Sequence, residues 1–417
     1  MLQSMTSFVK QLKQDYFLSY LYLYILILPW DVWKPQIGVF STILLIWWLL
    51  VGKKRGYFKK LKELIKIPTI QALGVFFLYA FVSLLWSDNY NDAFNTFFRF
   101  FKYTLIIIPV FYTSLSPEHI KYALYTLSIS LLFYALFSIG IYLEFYSVYD
   151  STKTNPKGIM AYAIVTPYMV IATLFFTIFS FFTNKRKKVL FLVFAAISFF
   201  ALFINNGRAA QLAFFLTLLS LSFLFRKELL NNLTALLSFF LILMLSIILL
   251  YNFNKLDRFI NAFSELQNPQ EKNFAGSWGK REYLLFAAGQ IIKKHPILGI
   301  GVGDNIDALK QYENTHPSEA DYLRTFHNQH LDILTRFGII GYLLFIIPFI
   351  LLLYKLRTNK LYFLLAFSFF SVTFFDSLGD IILLIKPYNN LFILLFILFC
   401  IIAYQKKDPD KLQSFFN

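Results

Sequence analysis

The sequence is short of both cysteine and charge. Its 417 residues contain one cysteine, Cys400, which lies in the last apolar run, so no disulfide can form within the chain. Hydrophobic residues make up 58% of the chain, and the mean hydropathy is +0.59. These values are too apolar for a soluble domain, so the composition predicts an integral membrane protein.

Three further absences narrow the class of protein. No small-residue cleavage site follows the first apolar run, so we interpret that run as an uncleaved span rather than a signal peptide. No unit of roughly 20–50 residues repeats, which excludes a solenoid. Apart from Arg99 and Lys102, the interiors of the apolar runs carry almost no charge, whereas a transporter would need charged residues there. A transport function is therefore disfavoured.

Apolar runs long enough to cross a membrane recur along the chain. Each has roughly 20 residues, which spans a hydrocarbon core of ~30 Å, and we count about twelve. The net charge of +16 is concentrated in short loops between them, such as Lys53-Lys54-Arg55 and Lys185-Arg186-Lys187-Lys188. Such clusters are typical of cytoplasmic loops and disfavour a nucleic-acid site. Alternation of the spans then predicts that both termini are cytoplasmic.

One long polar interval, residues 252–330, interrupts the apolar runs. Nine basic and nine acidic residues balance between Asn252 and Phe326, unlike the basic short loops. We predict an all-α integral membrane protein with about 12 transmembrane helices and one large, mainly helical periplasmic loop between spans 9 and 10. Its predicted parts are spans 1–9 in residues 1–251, the loop with the functional elements in 252–330, spans 10–12 in 331–404, and a cytoplasmic tail in 405–417.

Arginines at the membrane–water boundary are the first candidate functional residues. Arg208 lies in a short turn between two spans, Arg258 follows the ninth span, and Arg281 lies beside glycine and aromatic residues. A guanidinium pairs bidentately with phosphate, and this pairing strengthens where water is scarce. Lipid headgroups or a neighbouring carboxylate, such as Asp257 beside Arg258, are the alternative partners. Arg281 is the arginine we favour as a phosphate ligand.

A glycine-rich segment lies in the same interval. Residues Glu282 to Lys294 have the apolar spacing of a helix, and His295-Pro296 ends that helix. The alternating glycines of Gly299-Ile300-Gly301-Val302-Gly303 then predict a tight, exposed turn close to the membrane. No strand precedes them, so a dinucleotide-binding loop is disfavoured.

The histidines that close the interval are the second candidate group. Thr325 is suited to cap a helix that begins one or two residues later, so we expect His327 in its first turn. There the positive helix end disfavours imidazolium, and a neutral imidazole is a competent general base near pH 7. His330 is expected one turn later, on the same side. Two alternatives stay open: interfacial packing of these histidines, or a metal site that adds His316 with Glu319 or Asp321.

The histidine segment resembles the signature of bacterial O-antigen ligases. His327-Asn328 is followed, after nine intervening residues, by Gly338-Ile339-Ile340-Gly341-Tyr342. More broadly, the chain resembles the ligase and polymerase superfamily that acts on undecaprenyl-diphosphate glycans, since Arg281, the glycine-rich turn and the Gly207-Arg208 turn match its pattern. The predicted architecture, with one dominant periplasmic loop just before the histidine, is similar as well.

The resemblance implies a metal-independent, inverting glycosyltransferase of the bacterial inner membrane that needs no cofactor. It would ligate O-antigen polysaccharide from undecaprenyl diphosphate onto a sugar hydroxyl of lipid A–core, a step of lipopolysaccharide biosynthesis. Its partners would be that glycan donor, that acceptor and membrane lipids, and no nucleic acid. By motif position, His327 would be the general base and Arg281 the principal diphosphate contact. Arg208 and Arg258 would be weaker diphosphate contacts. The supporting residues would be Asn328, His330, Gly338 and Gly341.

An O-antigen polymerase, which uses the same donor and another glycan repeat as acceptor, is the nearest alternative. Polymerases of this superfamily often have two sizeable external loops, each with an arginine followed by a glycine eleven positions on. The sequence has one such loop and no such arginine. A ligase is therefore favoured, and a transporter of lipid-linked glycans is the least favoured of the three.

Overall fold

The computed structural model describes residues 10–31, 36–231, 233–253, 277–317 and 325–405. These residues are α-helical, apart from turns, short 3₁₀ segments and two isolated β-bridges. The α-helices, numbered in chain order, are α1 Tyr16–Ile27, α2 Gln36–Gly52, α3 Tyr57–Leu64, α4 Pro68–Val82, α5 Tyr90–Phe101, α6 Thr104–Ser114, α7 Pro117–Tyr142, α8 Tyr162–Phe181, α9 Lys185–Ile204, α10 Arg208–Leu224, α11 Arg226–Leu230, α12 Leu233–Asn252, α13 Ser277–Lys294, α14 Asn305–Thr315, α15 Gln329–Leu356, α16 Lys360–Asp376 and α17 Lys386–Tyr404.

The predicted class, an all-α membrane protein, is confirmed. Within the described residues, seven helical segments are long and apolar enough to cross a membrane, and α2 with α3 makes an eighth if a pair bent by 108° is one span. The count of twelve spans and the extent of the large loop stay predictions. The seven segments are α4 extended to Trp86, α5 joined to α6, α7, α8, α9, α15 and α17.

Burial separates the central helices from the peripheral ones. In α8 the apolar window is 89% buried, whereas in α15 it is 28% buried. A helix that is apolar on every side and enclosed by protein belongs at the centre of a bundle. Helix α15 instead presents much of its length to the surroundings and packs against α4 and α17 on one side, through Phe345 and Phe349.

Helix α15 is broken at Gly338, where φ is 61° and ψ is −167°. The break frees backbone groups that a continuous helix would use internally. The Pro296–Gly303 loop forms hydrogen bonds with these backbone groups on both sides of the break. The loop and the broken part of α15 therefore pair like two short strands. Four backbone hydrogen bonds make this junction: Ile300 N–H to Thr335 O at 2.9 Å, Gly301 N–H to Arg336 O at 3.0 Å, Ile339 N–H to Pro296 O at 2.9 Å and Ile340 N–H to Ile297 O at 3.4 Å.

Two glycines permit this close approach. Gly299 and Gly338 both have positive φ, at 73° and 61°. A Cβ on Gly338 would overlap the backbone of Ile297, and a Cβ on Gly299 would overlap the backbone of Arg336. Glycine is the residue that adopts such backbone without strain. The Pro296–Gly303 loop is therefore an internal junction rather than the exposed turn that the sequence predicted, since its glycines pack against α15.

A buried ion pair reinforces the junction. The Arg336 Nε donates to Asp332 Oδ2 at 2.9 Å and a terminal nitrogen donates to Asp332 Oδ1 at 3.2 Å. Asn305 donates to the same carboxylate at 2.6 Å, and Arg336 also donates to the Val302 carbonyl. Breaking a buried pair by removing one partner typically costs about 3–5 kcal/mol. These bonds hold the first two turns of α15 against the loop and α14.

The loop is tied to α5 as well. The Asp304 carboxylate accepts from the backbone N–H groups of Asp88 at 3.0 Å and Asn89 at 3.3 Å, just before α5. Burial raises the pKa of Asp304, and these two N–H donors oppose that rise. Gly303 packs so closely on Ala93 that a Cβ there would overlap its backbone. One loop therefore fixes α5 and α15 relative to each other.

Gly338→Ala is expected to destabilise the protein by about 2 kcal/mol or more, because alanine is strained at this φ and its Cβ would overlap Ile297. Gly289→Ala in α13 is the matched control, since among the described residues no atom outside its own stretch of helix lies within 4 Å of its Cβ position. That change is expected to be neutral or to stabilise by up to ~1 kcal/mol. Unfolding of both variants in the same detergent measures the difference, and equal midpoints would contradict this account of the break.

Candidate functional site

The candidate site is organised around the turn that follows α16, residues Ser377–Asp380, which we call the 377–380 turn. Its carbonyl groups accept hydrogen bonds from residues that lie far away in the sequence. The turn therefore brings together segments that are far apart in the sequence. The three donors are Gln329 N–H to Ser377 O at 2.8 Å, the Asn328 side chain to Leu378 O at 3.1 Å and the Arg281 guanidinium to Gly379 O at 3.3 Å.

His327 lies just before α15 and not in its first turn, so the predicted helix start was wrong. The helix begins at Gln329, and the Asn328 side chain is its N-cap, accepting from His330 N–H at 3.0 Å and Leu331 N–H at 3.1 Å. His327 has a φ of 45°, which excludes it from the helix. Asparagine caps at least as well as threonine, so Asn328 takes the role that was assigned to Thr325. The argument that a first-turn position keeps this imidazole neutral therefore falls.

A carboxylate faces His327 instead. The imidazole Nδ1 lies 3.6 Å from Asp380 Oδ1. The His327 side chain is 46% exposed and that of Asp380 is 20% exposed, so the imidazole reaches solvent from beside a mostly covered carboxylate. A carboxylate beside Nδ1 favours the tautomer with the proton on Nδ1, which leaves the Nε2 lone pair available as a base. Nothing in the sequence around Asp380 indicates that it meets His327.

His330 is a packing residue. Its side chain is buried, its Nε2 lies 2.9 Å from Phe374 O, and its Nδ1 lies 3.0 Å from the Tyr342 hydroxyl. Both ring nitrogens therefore have partners, and the contact with Phe374 ties α15 to α16. Interfacial packing, which the sequence left open as a role for both histidines, fits His330. It does not fit His327, whose side chain points to solvent. Gly341 is also a packing position, since a Cβ there would lie 2.9 Å from the ring of Tyr79 on α4.

Of the three predicted arginines, Arg281 reaches the 377–380 turn with its side chain, and Arg208 begins a helix that contacts the turn through its next residue. Arg281 is partly buried in the first turns of α13 and donates to Gly379 O. Arg208 is the first residue of α10, and the next residue, Ala209, contacts Gly379 so closely that a Cβ on that glycine would lie 2.6 Å from the Ala209 Cβ. The third, Arg258, lies outside the described residues.

The residues of the alternative metal site do not form a cluster in the part of the chain that the structure describes. Within it, no three His, Cys, Asp or Glu side chains could hold a metal ion together. His316 stacks on Tyr312, with 4.3 Å between the ring centroids. Glu319 and Asp321 lie outside the described residues.

An apolar cavity of about 90 Å³ begins beside the site. It lies between α4, the α5–α6 junction, α15 and α17, and Gln329 lines it two residues after His327. The Gln329 side chain is buried, and among the described residues its amide oxygen finds no hydrogen-bond partner. Most of the wall is apolar and aromatic, and includes Phe76, Phe101, Ile333, Phe337, Phe349 and Phe396.

Gly379→Ala is expected to lower the unfolding midpoint, since overpacking against Ala209 typically costs ~1–3 kcal/mol. Ala209→Gly removes the atom that the new Cβ would meet, and the nearest remaining atom then lies at an ordinary 3.6 Å. Gly379→Ala should therefore cost much less in the Ala209→Gly background. Unfolding of the two single variants and the double variant measures this coupling, and additive effects would show that α10 does not contact the turn.

No curated protein matches the sequence. The model of the O-antigen ligase family (Wzy_C) matches residues 193–346, a segment that contains Arg208, Arg281 and His327. The 377–380 turn lies after the matched segment. This match supports O-antigen ligase or polymerase-type activity in general, which uses a lipid-linked glycan and a lipid acceptor, and it confirms the resemblance found in the sequence. Residues 193–346 are therefore similar to the O-antigen ligase family, within a chain whose described helices are those of a multi-pass membrane protein.

Proposed function

We propose that this protein ligates O-antigen polysaccharide from undecaprenyl diphosphate onto a sugar hydroxyl of lipid A–core. The observation that carries this proposal is the exposed imidazole of His327 beside Asp380, at a turn that also receives Arg281 and the start of α10. In the proposed topology the site faces the periplasm, and the protein lies in the bacterial inner membrane.

His327 acts as the general base in this proposal. Its Nε2 takes the proton of the acceptor hydroxyl as the hydroxyl oxygen attacks the anomeric carbon of the donor glycan. The bond from that carbon to the diphosphate oxygen breaks, and its electron pair leaves with undecaprenyl diphosphate. Attack from the side opposite the leaving group inverts the anomeric centre. The donor already carries a good leaving group, so positioning and one proton transfer are the main tasks of the enzyme.

Asp380 is a positioning residue. It holds the His327 ring with Nδ1 towards the turn and stabilises the imidazolium that forms when Nε2 takes the proton. Because Asp380 is itself mostly covered, its charge is screened less than that of a surface carboxylate.

The arginines bind the diphosphate. The Arg281 guanidinium reaches the 377–380 turn, and Arg208 begins the helix whose next residue contacts that turn. We assign both guanidinium groups to the charge that develops on the leaving group. Arg258 is proposed as a third diphosphate contact from outside the described residues. No metal ion takes part in the proposed step, because the guanidinium groups supply the positive charge.

The apolar cavity takes part of the polyprenyl chain. It starts next to the 377–380 turn and is walled by aromatic side chains, as a hydrocarbon chain attached to a diphosphate would require. The buried Gln329 amide lies at the end nearest His327, where the polar and apolar parts of the donor would meet.

His327→Ala is expected to lower the rate of ligation by about 10²–10⁴-fold, the usual contribution of a general base. Asp380→Asn should cause a smaller loss, because the imidazole remains but is less well oriented. The measurement is transfer of glycan from purified undecaprenyl-diphosphate donor to lipid A–core by the purified protein. His316→Ala, an exposed histidine of the same polar interval, is the control and should leave the rate unchanged. An undiminished rate for His327→Ala would overturn the assignment of the base.

Ile333→Phe is expected to raise the KM for a long-chain polyprenyl donor, because the larger side chain fills the cavity that Ile333 lines. A donor with a very short prenyl chain should be used as before. Ile340→Phe is the matched control on the same helix, since Ile340 is 39% exposed and lies outside the cavity wall. Equal KM changes for both donors, or for both variants, would show that the polyprenyl chain binds outside this cavity.

A further inference from the structure

A short basic helix lies at the end of the bundle away from His327. Helix α3 follows α2 after a bend of 108°, so it runs across the ends of the spans rather than along them. It buries Tyr57 and Leu64 against the bundle and exposes Phe58, with Ile65 exposed just after it. A basic, amphipathic helix in this orientation is typical of a segment that lies in the membrane–water interface.

A groove of about 570 Å³ runs beside α3. Lys60, Glu63 and Lys66 line one side of it, and Tyr112, Tyr404 and Gln405 line the other. The ammonium of a third lysine, Lys355, lies 5.8 Å from the ring centroid of Tyr404. Two lysines and one carboxylate therefore line this groove together with hydroxyl and amide groups, and the third lysine lies beside the ring of a residue that lines it.

Hydrogen bonds between separate helices shape the groove. The Lys60 ammonium donates to Thr113 O at 3.1 Å, and the Gln405 side chain donates to Tyr112 O at 2.8 Å. The Tyr404 hydroxyl is hydrogen-bonded to the Thr69 hydroxyl at 2.7 Å. These contacts join α3, α4, α6 and α17, so the groove is formed before any ligand arrives.

We propose that this groove binds the headgroup of one anionic phospholipid from the adjacent leaflet. The excess of positive charge suits a phosphate that carries no compensating cation, and clusters of lysine beside a span attract anionic lipids in general. A choline headgroup would place its own ammonium beside these lysines. The exposed side chains of Phe58 and Ile65 offer an apolar surface for the acyl chains. This site is independent of the reaction at His327.

The test compares lipid retention by native mass spectrometry of the purified protein in neutral detergent. Phosphatidylglycerol or phosphatidylcholine is added at equal concentration. The variant Lys66→Gln/Lys355→Gln removes one charge that lines the groove and one that lies beside Tyr404. Lys53→Gln/Lys54→Gln removes two charges from the same membrane surface at the α2–α3 bend, outside the groove, and is the matched control. Lys66→Arg/Lys355→Arg keeps the charge.

The wild-type protein is expected to retain one phosphatidylglycerol at least about tenfold more strongly than phosphatidylcholine. The groove variant should lose that preference, whereas the control and the arginine variant should keep it. Equal retention of the two lipids by the wild type, or equal losses in the groove variant and the control, would overturn the proposal. Lys66→Glu reverses an exposed charge and keeps the test decisive if the double variant does not fold, because unchanged retention by Lys66→Glu would also overturn it.

Discussion

The backbone pairing between the Pro296–Gly303 loop and the break in α15 is the constraint on which the site depends. It fixes the first part of α15 against the loop, while the rest of that helix is exposed along much of its length. The buried pair of Arg336 and Asp332 adds side-chain contacts to the same junction. Because α15 starts two residues after His327, the junction also sets where His327 meets the 377–380 turn.

The helices were largely predictable from the sequence because length and hydropathy are local properties. The apolar runs predicted an all-α membrane protein, but they did not predict the break in α15 at Gly338. That break needs partners about 40 residues earlier in the chain, since Gly338 approaches Ile297 and Gly299 approaches Arg336. The glycines were visible in the sequence, but the surface against which each one packs was not.

The candidate site was predicted in part. Spacing and resemblance selected His327, Arg281 and Arg208, and the structure brings elements bearing all three to one turn. Asp380 was missed because a lone aspartate after a span has no pattern, and its approach to His327 exists only through tertiary packing. The predicted helix start failed because the backbone of His327 turns left-handed and Asn328 takes the cap. Local preference could not decide between Thr325 and Asn328, two capping residues three positions apart.

A ligase transfers the glycan to lipid A–core, whereas a polymerase transfers it to another repeat. Lipopolysaccharide banding from a strain that lacks this protein distinguishes the two. For the proposed ligase, all polymer-bearing lipid A–core is expected to be lost, with the undecaprenyl-linked polymer retained in the membrane. A ladder reduced to lipid A–core with a single repeat would overturn the proposed function and identify a polymerase.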